Sequence, residues 1–369
     1  MNTFELLISQ YQKYPQMQCR DFLKALFQAE WGCEHLISDE QGVYRYLKNE
    51  WEQTPAAANG SPIEPLGDHF VRLHIAAAKA QGLSMDTLFQ MFLHAARVRR
   101  GDQEHFSAAL GCVAAMAEDG VLPFSPAEAE DCIRKYHEQG CPPIHHSEAF
   151  RQHYHPAYRV IDRETASLLP VLLRLDHLMR EKAHVIIAVD GRCASGKSTL
   201  AALLAELYSA PALHMDDFFL QPHQRTPERF AQPGGNVDAE RFLDEVLTPL
   251  RHAQAFAYRP FSCRHQKLLD PVQMDVYPLA IVEGSYSLHP ILEGNYDLRI
   301  LMTIDPQLQR ERLLQRDGEA MLARFESEWI PMEEHYFAET HIRLRCDFIS
   351  STDRCQHSTL TALSDSPHF

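Results

Sequence analysis

Residues 184–199, HVIIAVDGRCASGKST, constrain the fold of this chain more than any other segment. The continuous apolar and β-branched run HVIIAVD predicts a strand that is buried on both faces. Gly191, Gly196, Lys197 and Ser198 follow with the spacing Gly-x-x-x-x-Gly-Lys-Ser of a phosphate-binding loop, or P-loop. The helix-forming segment STLAALLAELYS begins at Ser198, within the motif. A chance glycine-rich turn would need neither the strand nor the helix, so the sequence predicts nucleotide binding here.

The residue types of this loop suit a complex of magnesium and a nucleotide. Glycines let backbone N–H groups point at phosphate oxygens. A P-loop lysine reaches the β and γ phosphates, and the serine hydroxyl binds Mg²⁺. We therefore expect ATP and Mg²⁺ as cofactors. The predicted nucleotide-binding residues are Gly191, Ala194, Ser195, Gly196, Lys197, Ser198 and Thr199.

Beyond the P-loop, short apolar runs alternate with helical patterns. The runs are ALHM, LAIVEG, LRILMTI and CDFIS, and the helical segments between them include DAERFLDEVLTPLRH and PQLQRERLLQRDG. Strands that alternate with helices are typical of a parallel sheet with helices on both faces. The fold class predicted for this part of the chain is therefore α/β.

The part of the chain before the P-loop has the pattern of helices. Ser84 can cap MDTLFQMFLHAARVRR, and Ser125 followed by Pro126 can begin the next helix but one. Ser38 and Gln41 fit a capping box. Three roles remain open for this part of the chain. It could bind an effector, complete an acceptor pocket or mediate assembly. The predicted organisation is an all-α domain at 1–160, a connecting helix at 161–183 and an α/β domain at 184–369.

The net charge and the composition of the chain limit the classes of partner that it is expected to bind. The formal net charge of −15 disfavours a sequence-independent grip on nucleic acid or on an anionic membrane, because both need a positive surface. No signal sequence and no apolar run of about 20 residues is found. The nine cysteines are scattered without a C-x-x-C pair, which indicates reduced thiols and a cytoplasmic location. A small-molecule acceptor is the expected partner, and homo-oligomerisation is left open.

From residue 184 onward, the chain resembles the P-loop kinases that include uridine kinase, nicotinamide riboside kinase, pantothenate kinase and phosphoribulokinase. The segments that carry the resemblance, in order, are DGRCASGKST, HMDDFFLQP, GGNVDAERFLDEVLTPL, LAIVEGSYSL and RERLLQRD. The resemblance covers about half of the chain. No resemblance is identified for the helical half.

The resemblance implies roles for three acidic residues. Asp216 would be the general base that accepts the proton of the acceptor hydroxyl, and its neighbour Asp217 would contact the substrate or a metal-bound water. Glu283 ends the strand LAIVEG, where it would hold a Mg²⁺-bound water or a substrate hydroxyl. For each of these carboxylates the alternative is a structural one, as a turn or cap residue.

The resemblance also implies a lid arginine that covers the transferring phosphoryl group. Arg316 is the first candidate and Arg312 the second, since both lie on one face of a predicted helix. A solvated basic helix face is the alternative.

The acceptor side departs from uridine kinases in the segment FAYRPFSCRHQ. Tyr258 matches, but Arg259 replaces an aspartate, and Cys263 stands where a histidine is found. Pyrimidine specificity is therefore not carried over. Tyr258 and Arg264 are predicted to bind the substrate, and the arginines suggest an anionic acceptor.

The predicted function is an ATP-dependent transfer of the γ-phosphoryl group to a hydroxyl of a small metabolite, with a nucleoside or other ribosyl compound favoured. One alternative keeps the chemistry with a sugar, a sugar phosphate or a pantothenate-like acid as acceptor. The other is a nucleotide-sensing regulatory protein with little turnover, which would have no need of Asp216 as a base.

Overall fold

The structure is a computed structural model that describes residues 1–33, 39–98, 101–352 and 358–363. The chain forms two compact units, Met1–Leu173 and Arg174–Phe369. In the described part of the chain, no helix is long and apolar enough to cross a membrane.

The first unit is largely helical, as predicted. Ser84 caps α5 by accepting a hydrogen bond from the N–H of Thr87, and Ser125 caps α7, with Pro126 in its first turn. Ser38 lies outside the described residues. The helices are α1 (Thr3–Lys13), α2 (Cys19–Trp31), α3 (Glu40–Gln53), α4 (Ile75–Ala80), α5 (Met85–Arg97), α6 (Gln103–Glu118), α7 (Pro126–Glu138), α8 (Glu148–Tyr154), α9 (Arg163–Ser167) and α10 (Leu169–Glu181), the last of which begins in this unit.

A small antiparallel sheet adds strands that the sequence pattern does not indicate. Its strands β1 (Ile63–Leu66), β2 (Phe70–His74) and β3 (Tyr158–Asp162) pair in the order β1-β2-β3. In the central strand β2, Arg72 is only 1% exposed, and Glu64 of β1 accepts a hydrogen bond from its guanidinium at 2.9 Å. The sheet therefore contains a buried ion pair. After β3 the chain forms α9 and α10 as separate helices.

The second unit is built on a sheet with the strand order β13-β12-β11-β4-β10-β5. Neighbouring strands are parallel except for β13, which is antiparallel to β12. All seven residues of β4 are buried, as expected for a central strand covered on both faces. The strands are β4 (Val185–Gly191), β5 (Ala212–His214), β10 (Leu279–Glu283), β11 (Leu298–Ile304), β12 (Phe348–Thr352) and β13 (Ser358–Ala362). The predicted α/β class is confirmed.

Helices connect these strands. A π-helical turn, Leu243–Leu247, joins α13 to α14, and another, Phe325–Trp329, joins α15 to α16. Two short antiparallel pairs, β6 (Phe256–Tyr258) with β9 (Val272–Met274) and β7 (Phe261–Ser262) with β8 (Lys267–Leu268), precede β10. The helices are α11 (Lys197–Tyr208), α12 (Pro227–Phe230), α13 (Ala239–Phe242), α14 (Thr248–Arg251), α15 (Pro306–Arg324) and α16 (Ile330–Thr340).

The parallel strands determine where a site can form. Glu283, at the end of β10, lies opposite His214 of β5 and Val189 of β4. The carboxyl ends of these strands therefore meet at one edge of the sheet, which is where open α/β folds bind ligands.

Candidate active site

The P-loop joins β4 to α11 in a conformation that requires glycine. Gly191 has a φ of +149°, and a Cβ atom there would lie 2.1 Å from the carbonyl oxygen of Met302 in β11. Any other residue at this position would have to displace β11. Gly196 has a φ of +98° and forms the N-cap of α11. The loop thus packs against the sheet, with the positive end of the α11 dipole behind it, as in anion-binding loops.

Lys197 lies along this loop. It is 8% exposed, and its Nζ donates hydrogen bonds to the carbonyl oxygens of Gly191, at 2.8 Å, and Arg192, at 2.9 Å. An ammonium group held at this point can reach phosphate oxygens in the loop.

Ser198 and Glu283 offer oxygen ligands side by side. The Oγ of Ser198 donates to the Oε2 of Glu283 at 3.1 Å. The other carboxylate oxygen lies 2.5 Å from the Nδ1 of His214, and this hydrogen bond raises the pKa of the imidazole. Hydroxyl and carboxylate oxygens are the ligands that Mg²⁺ prefers, so the residues present fit the ion that the fold implies.

The adjacent aspartates have different surroundings. Both lie in a 3₁₀ turn, Met215–Phe218, that follows β5. The side chain of Asp216 lines the same cavity as Lys197 and meets the solvent within it. Burial among the cavity walls raises the pKa of Asp216, while the charge of Lys197 acts in the opposite direction. Asp217 does not line the cavity and is hydrogen-bonded to Tyr258, so the two carboxylates differ in what they can contact.

Arg312 and Arg316 of α15 both line the cavity. The Nη1 of Arg312 donates to the carbonyl oxygen of Ala194 in the P-loop at 3.2 Å. Arg316 pairs with Asp317 at 2.8 Å, and its guanidinium lies 5.8 Å from the centre of the Phe325 ring. Both candidate lid arginines therefore line the cavity, and Arg312 also contacts the P-loop.

These groups enclose a cavity of about 590 Å³, which is within the range of small-molecule sites. Gly191 and Ser195 contribute to the loop without lining the cavity, and Ser195 is buried. The predicted site residues that line it are Ala194, Gly196, Lys197, Ser198, Thr199, Asp216, Glu283, Arg312 and Arg316.

The two acceptor-binding residues predicted in the segment FAYRPFSCRHQ do not line this cavity. Tyr258 is 6% exposed, and its ring stacks on Phe218 at 5.5 Å. Arg264 is exposed and does not line the cavity, whereas its neighbour Cys263 does. Arg259 donates to carbonyl groups at the end of β8. Neither arginine of this segment therefore contributes its charge to the cavity lining.

Glu333 of α16 is a site residue that the sequence pattern does not indicate. It is 4% exposed and lines the cavity. Its carboxylate accepts hydrogen bonds from the N–H of Cys193, at 3.0 Å, and from the Oγ of Ser285, at 2.7 Å. A glutamate in the helical segment ESEWIPMEEHYF looks like an ordinary surface residue, so only the tertiary contact reveals it.

Asp190 links the P-loop to the segment after β10. Its carboxylate is fully buried and accepts hydrogen bonds from the N–H groups of Gly191 (2.6 Å), Tyr286 (3.0 Å) and Leu288 (2.9 Å), and from the hydroxyl of Tyr336 (2.7 Å). Burial nevertheless raises the pKa of Asp190 to about 6. This carboxylate holds the wall of the cavity in position.

Comparison with known proteins identifies relatives of this fold. No family model matches the chain. Dephospho-CoA kinase of Rhodopseudomonas palustris is 26% identical over 187 residues, which are 46% of this chain and 86% of that protein. Nicotinamide riboside kinase of Saccharomyces cerevisiae is 24% identical over 212 residues, or 51% of this chain and 83% of the relative.

Among solved structures, a possible uridine kinase from Bacillus stearothermophilus is 17% identical with a TM-score of 0.36, over 49% of this chain and 98% of that one. This structural similarity is too low to support an assignment, which rests on the sequence relatives. The relatives of this chain are P-loop kinases of small metabolites, and they confirm the predicted resemblance over about half of its length.

Proposed function

We propose that this protein is an ATP-dependent phosphotransferase that moves the γ-phosphoryl group to a hydroxyl of a small metabolite. The observation that carries the proposal is that one cavity is lined by the P-loop lysine Lys197, the carboxylate of Asp216 and the guanidinium groups of Arg312 and Arg316. A nucleotide sensor would need the lysine but not the carboxylate.

The roles of these residues follow from the chemistry of phosphoryl transfer. Asp216 orients the acceptor hydroxyl toward the γ-phosphorus and accepts its proton as the new bond forms. Lys197 and Arg316 offset the negative charge on the transferring group. Mg²⁺, bound by Ser198 and through water by Glu283, would neutralise charge on the β and γ oxygens.

The favoured acceptor is a nucleoside or another ribosyl compound. Support comes from the yeast relative, whose name specifies a riboside. The cavity also has the aromatic side chains of Phe219 and Tyr286 and the amide of Asn236, which suit a planar base with polar edges. The described cysteines are free thiols, which supports a cytoplasmic location for the reaction.

A panel of acceptors tests the proposal. ADP release would be measured with ATP and Mg²⁺ in the presence of nicotinamide riboside, uridine, adenosine, dephospho-CoA, pantothenate, ribose or fructose. We expect release that depends on a ribosyl acceptor and that is lost in Lys197→Met. Release with a sugar or pantothenate alone would keep the kinase chemistry and change the acceptor class. A protein that binds ATP but releases no ADP with any acceptor would instead be a nucleotide sensor.

A further inference from the structure

A second cavity, of about 740 Å³, lies within the first unit and is independent of the kinase chemistry. Its walls come from α2, α3, α5, the segment before α8 and β3. Its volume is within the range of sites that bind small molecules. The first unit therefore has room for a ligand of its own.

Most of the charge in this cavity is paired. Among the described residues, its charged lining consists of Lys24, Arg151 and Arg159 on the basic side and Asp39 and Glu50 on the acidic side. Arg151 pairs at 2.6 Å with Glu148, which does not line the cavity. A cation without such a partner would therefore attract an anionic ligand.

Among the described cations that line the cavity, Lys24 is the one without a carboxylate partner. Its Nζ donates to the carbonyl oxygen of Ile144 at 2.9 Å, and no carboxylate of the described residues lies within 4.0 Å of it. The pKa of Lys24 is lowered to about 8, mainly because the side chain is buried and secondly because of the charge of Arg72. By contrast, Arg159 is already neutralised by Glu50, at 2.6 Å. An ammonium group with one carbonyl partner has donors left for a ligand.

Aromatic side chains form the apolar side of the cavity. Arg159 lies 5.6 Å from the ring centre of Tyr46 and 5.8 Å from that of Phe92. Phe92 is 3% exposed, whereas Tyr46 is 67% exposed although it lines the cavity. An exposed aromatic ring next to a cavity gives a flat apolar surface on which a ligand can pack.

A largely buried network of hydrogen bonds forms another wall of the cavity. Asp21 accepts hydrogen bonds only, so the Nδ1 of His146, 2.9 Å away, carries the proton. The Nε2 of His146 then accepts from the hydroxyl of Tyr158 at 2.7 Å. Burial lowers the pKa of His146 to about 4, so the imidazole is neutral near pH 7. These groups satisfy one another, which leaves Lys24 as the group that can bind an anion.

We propose that this cavity binds a small organic anion, a carboxylate or a phosphate ester with an aromatic body, whose charged group contacts Lys24. The body of the ligand packs against Tyr46 and the inner aromatic residues. This site is separate from the P-loop, and its ligand need not be a substrate of the phosphotransferase.

The test measures the reactivity of Lys24 in the full chain. With a pKa of about 8, about a quarter of its side chains are free amine at pH 7.5, far more than for an ordinary lysine. Acetylation by an N-hydroxysuccinimide ester is followed for each lysine by peptide mass spectrometry. Benzoate and phenyl phosphate are the anionic probes, and benzyl alcohol is the neutral control. Lys79 is the matched internal reference, because it is also partly buried in this unit but binds the carbonyl groups of Trp51 and Thr54.

We expect an anionic probe at about ten times its Kd to slow the acetylation of Lys24 about tenfold and to leave Lys79 unchanged. Protection by both probes would indicate that the cavity binds organic anions in general. Protection by phenyl phosphate alone would indicate that it binds phosphate esters. Calorimetry in a Lys197→Met background, which removes phosphate binding at the P-loop, should show heat that Lys24→Met abolishes and Lys79→Met retains.

Three results would overturn the proposal. The first is that neither anion protects Lys24. The second is that benzyl alcohol protects it equally, which would show an apolar cavity without a role for charge. The third is that Lys24 stays unlabelled while Lys79 reacts, which would show that the cavity is closed to ligands.

Discussion

Replacing Asp216 by asparagine separates its proposed chemistry from its place in the fold. Asparagine has the size of aspartate and can still orient a hydroxyl, but it cannot take up a proton. Because Asp216 faces the cavity, the change removes the base without altering a buried contact. General-base catalysis contributes about 10²–10⁴-fold in rate, or roughly 2.7–5.4 kcal/mol at 1.36 kcal/mol for each factor of ten. We expect kcat to fall by that factor.

Asp217→Asn is the matched control. Its side chain does not line the cavity and is hydrogen-bonded to Tyr258, a bond that the amide oxygen of asparagine can also accept. We expect kcat to change by less than about threefold, because no group that contacts the acceptor is altered.

The assay is ADP release at saturating ATP and acceptor, with the dissociation constant of ATP measured separately by calorimetry. An unchanged ATP affinity in both variants would show that the P-loop is intact. The reasoning would be refuted if Asp216→Asn kept its kcat within about threefold of the wild type, or if Asp217→Asn showed the larger loss.

The pH dependence of activity provides a second test of the Asp216→Asn substitution. A base must be ionised, so activity rises with pH through the pKa of Asp216. Burial raises this pKa, and the acidic limb of kcat/KM should therefore lie above the value of about 3.9 for an unperturbed aspartate. The limb should disappear in Asp216→Asn, and its persistence there would assign it to another group.

Two further predictions concern the lid and the cavity wall. Arg316→Ala should lower kcat by about 10²–10³-fold, as for the loss of one transition-state donor. Arg310→Ala is the control and should have little effect, because Arg310 pairs with Glu326 on the surface. Equal losses of kcat in the two variants would contradict a lid role for Arg316. Tyr336→Phe should lower the free energy of unfolding by about 1.5–3 kcal/mol, because it removes a donor to the buried carboxylate of Asp190. Tyr296→Phe is the control, because it removes a hydrogen bond of equal length, 2.7 Å, to a neutral carbonyl. It should lower the free energy of unfolding by about 0.5–1.5 kcal/mol. If chemical denaturation ranked the two variants in the opposite order, the result would count against the role of Asp190.

The sequence predicts the parts of this fold that depend on local signals. The run that became β4 is apolar on both faces, and Ser125 with Pro126 specifies a helix start within a few residues. The P-loop needs a fixed spacing of glycines, one of which, Gly191, has no room for a side chain. Such features can be read from a short segment because their cause lies within it.

The rest depends on contacts between distant segments. The strands β1, β2 and β3 have only four or five residues each, and β2 carries Arg72 at a buried position, so no apolar alternation marks them. Glu333 reaches the P-loop from α16, and its surroundings in the sequence are those of a surface helix. The difference between Asp216 and Asp217 likewise arises from the position of Tyr258 in β6, a contact that adjacent sequence cannot reveal.

The position of Asp216 next to an edge strand also affects what is lost when the second unit unfolds locally. It follows β5, which has three residues and pairs only with β10 at the edge of the sheet, whereas the P-loop follows β4, which pairs on both sides. An edge strand opens at a lower free energy than a central one, so amide hydrogens of β5 should exchange with solvent sooner than those of β4. We therefore expect the chain to lose the carboxylate proposed to activate the acceptor while its P-loop stays formed. Partial unfolding would then stop phosphoryl transfer before it released the nucleotide.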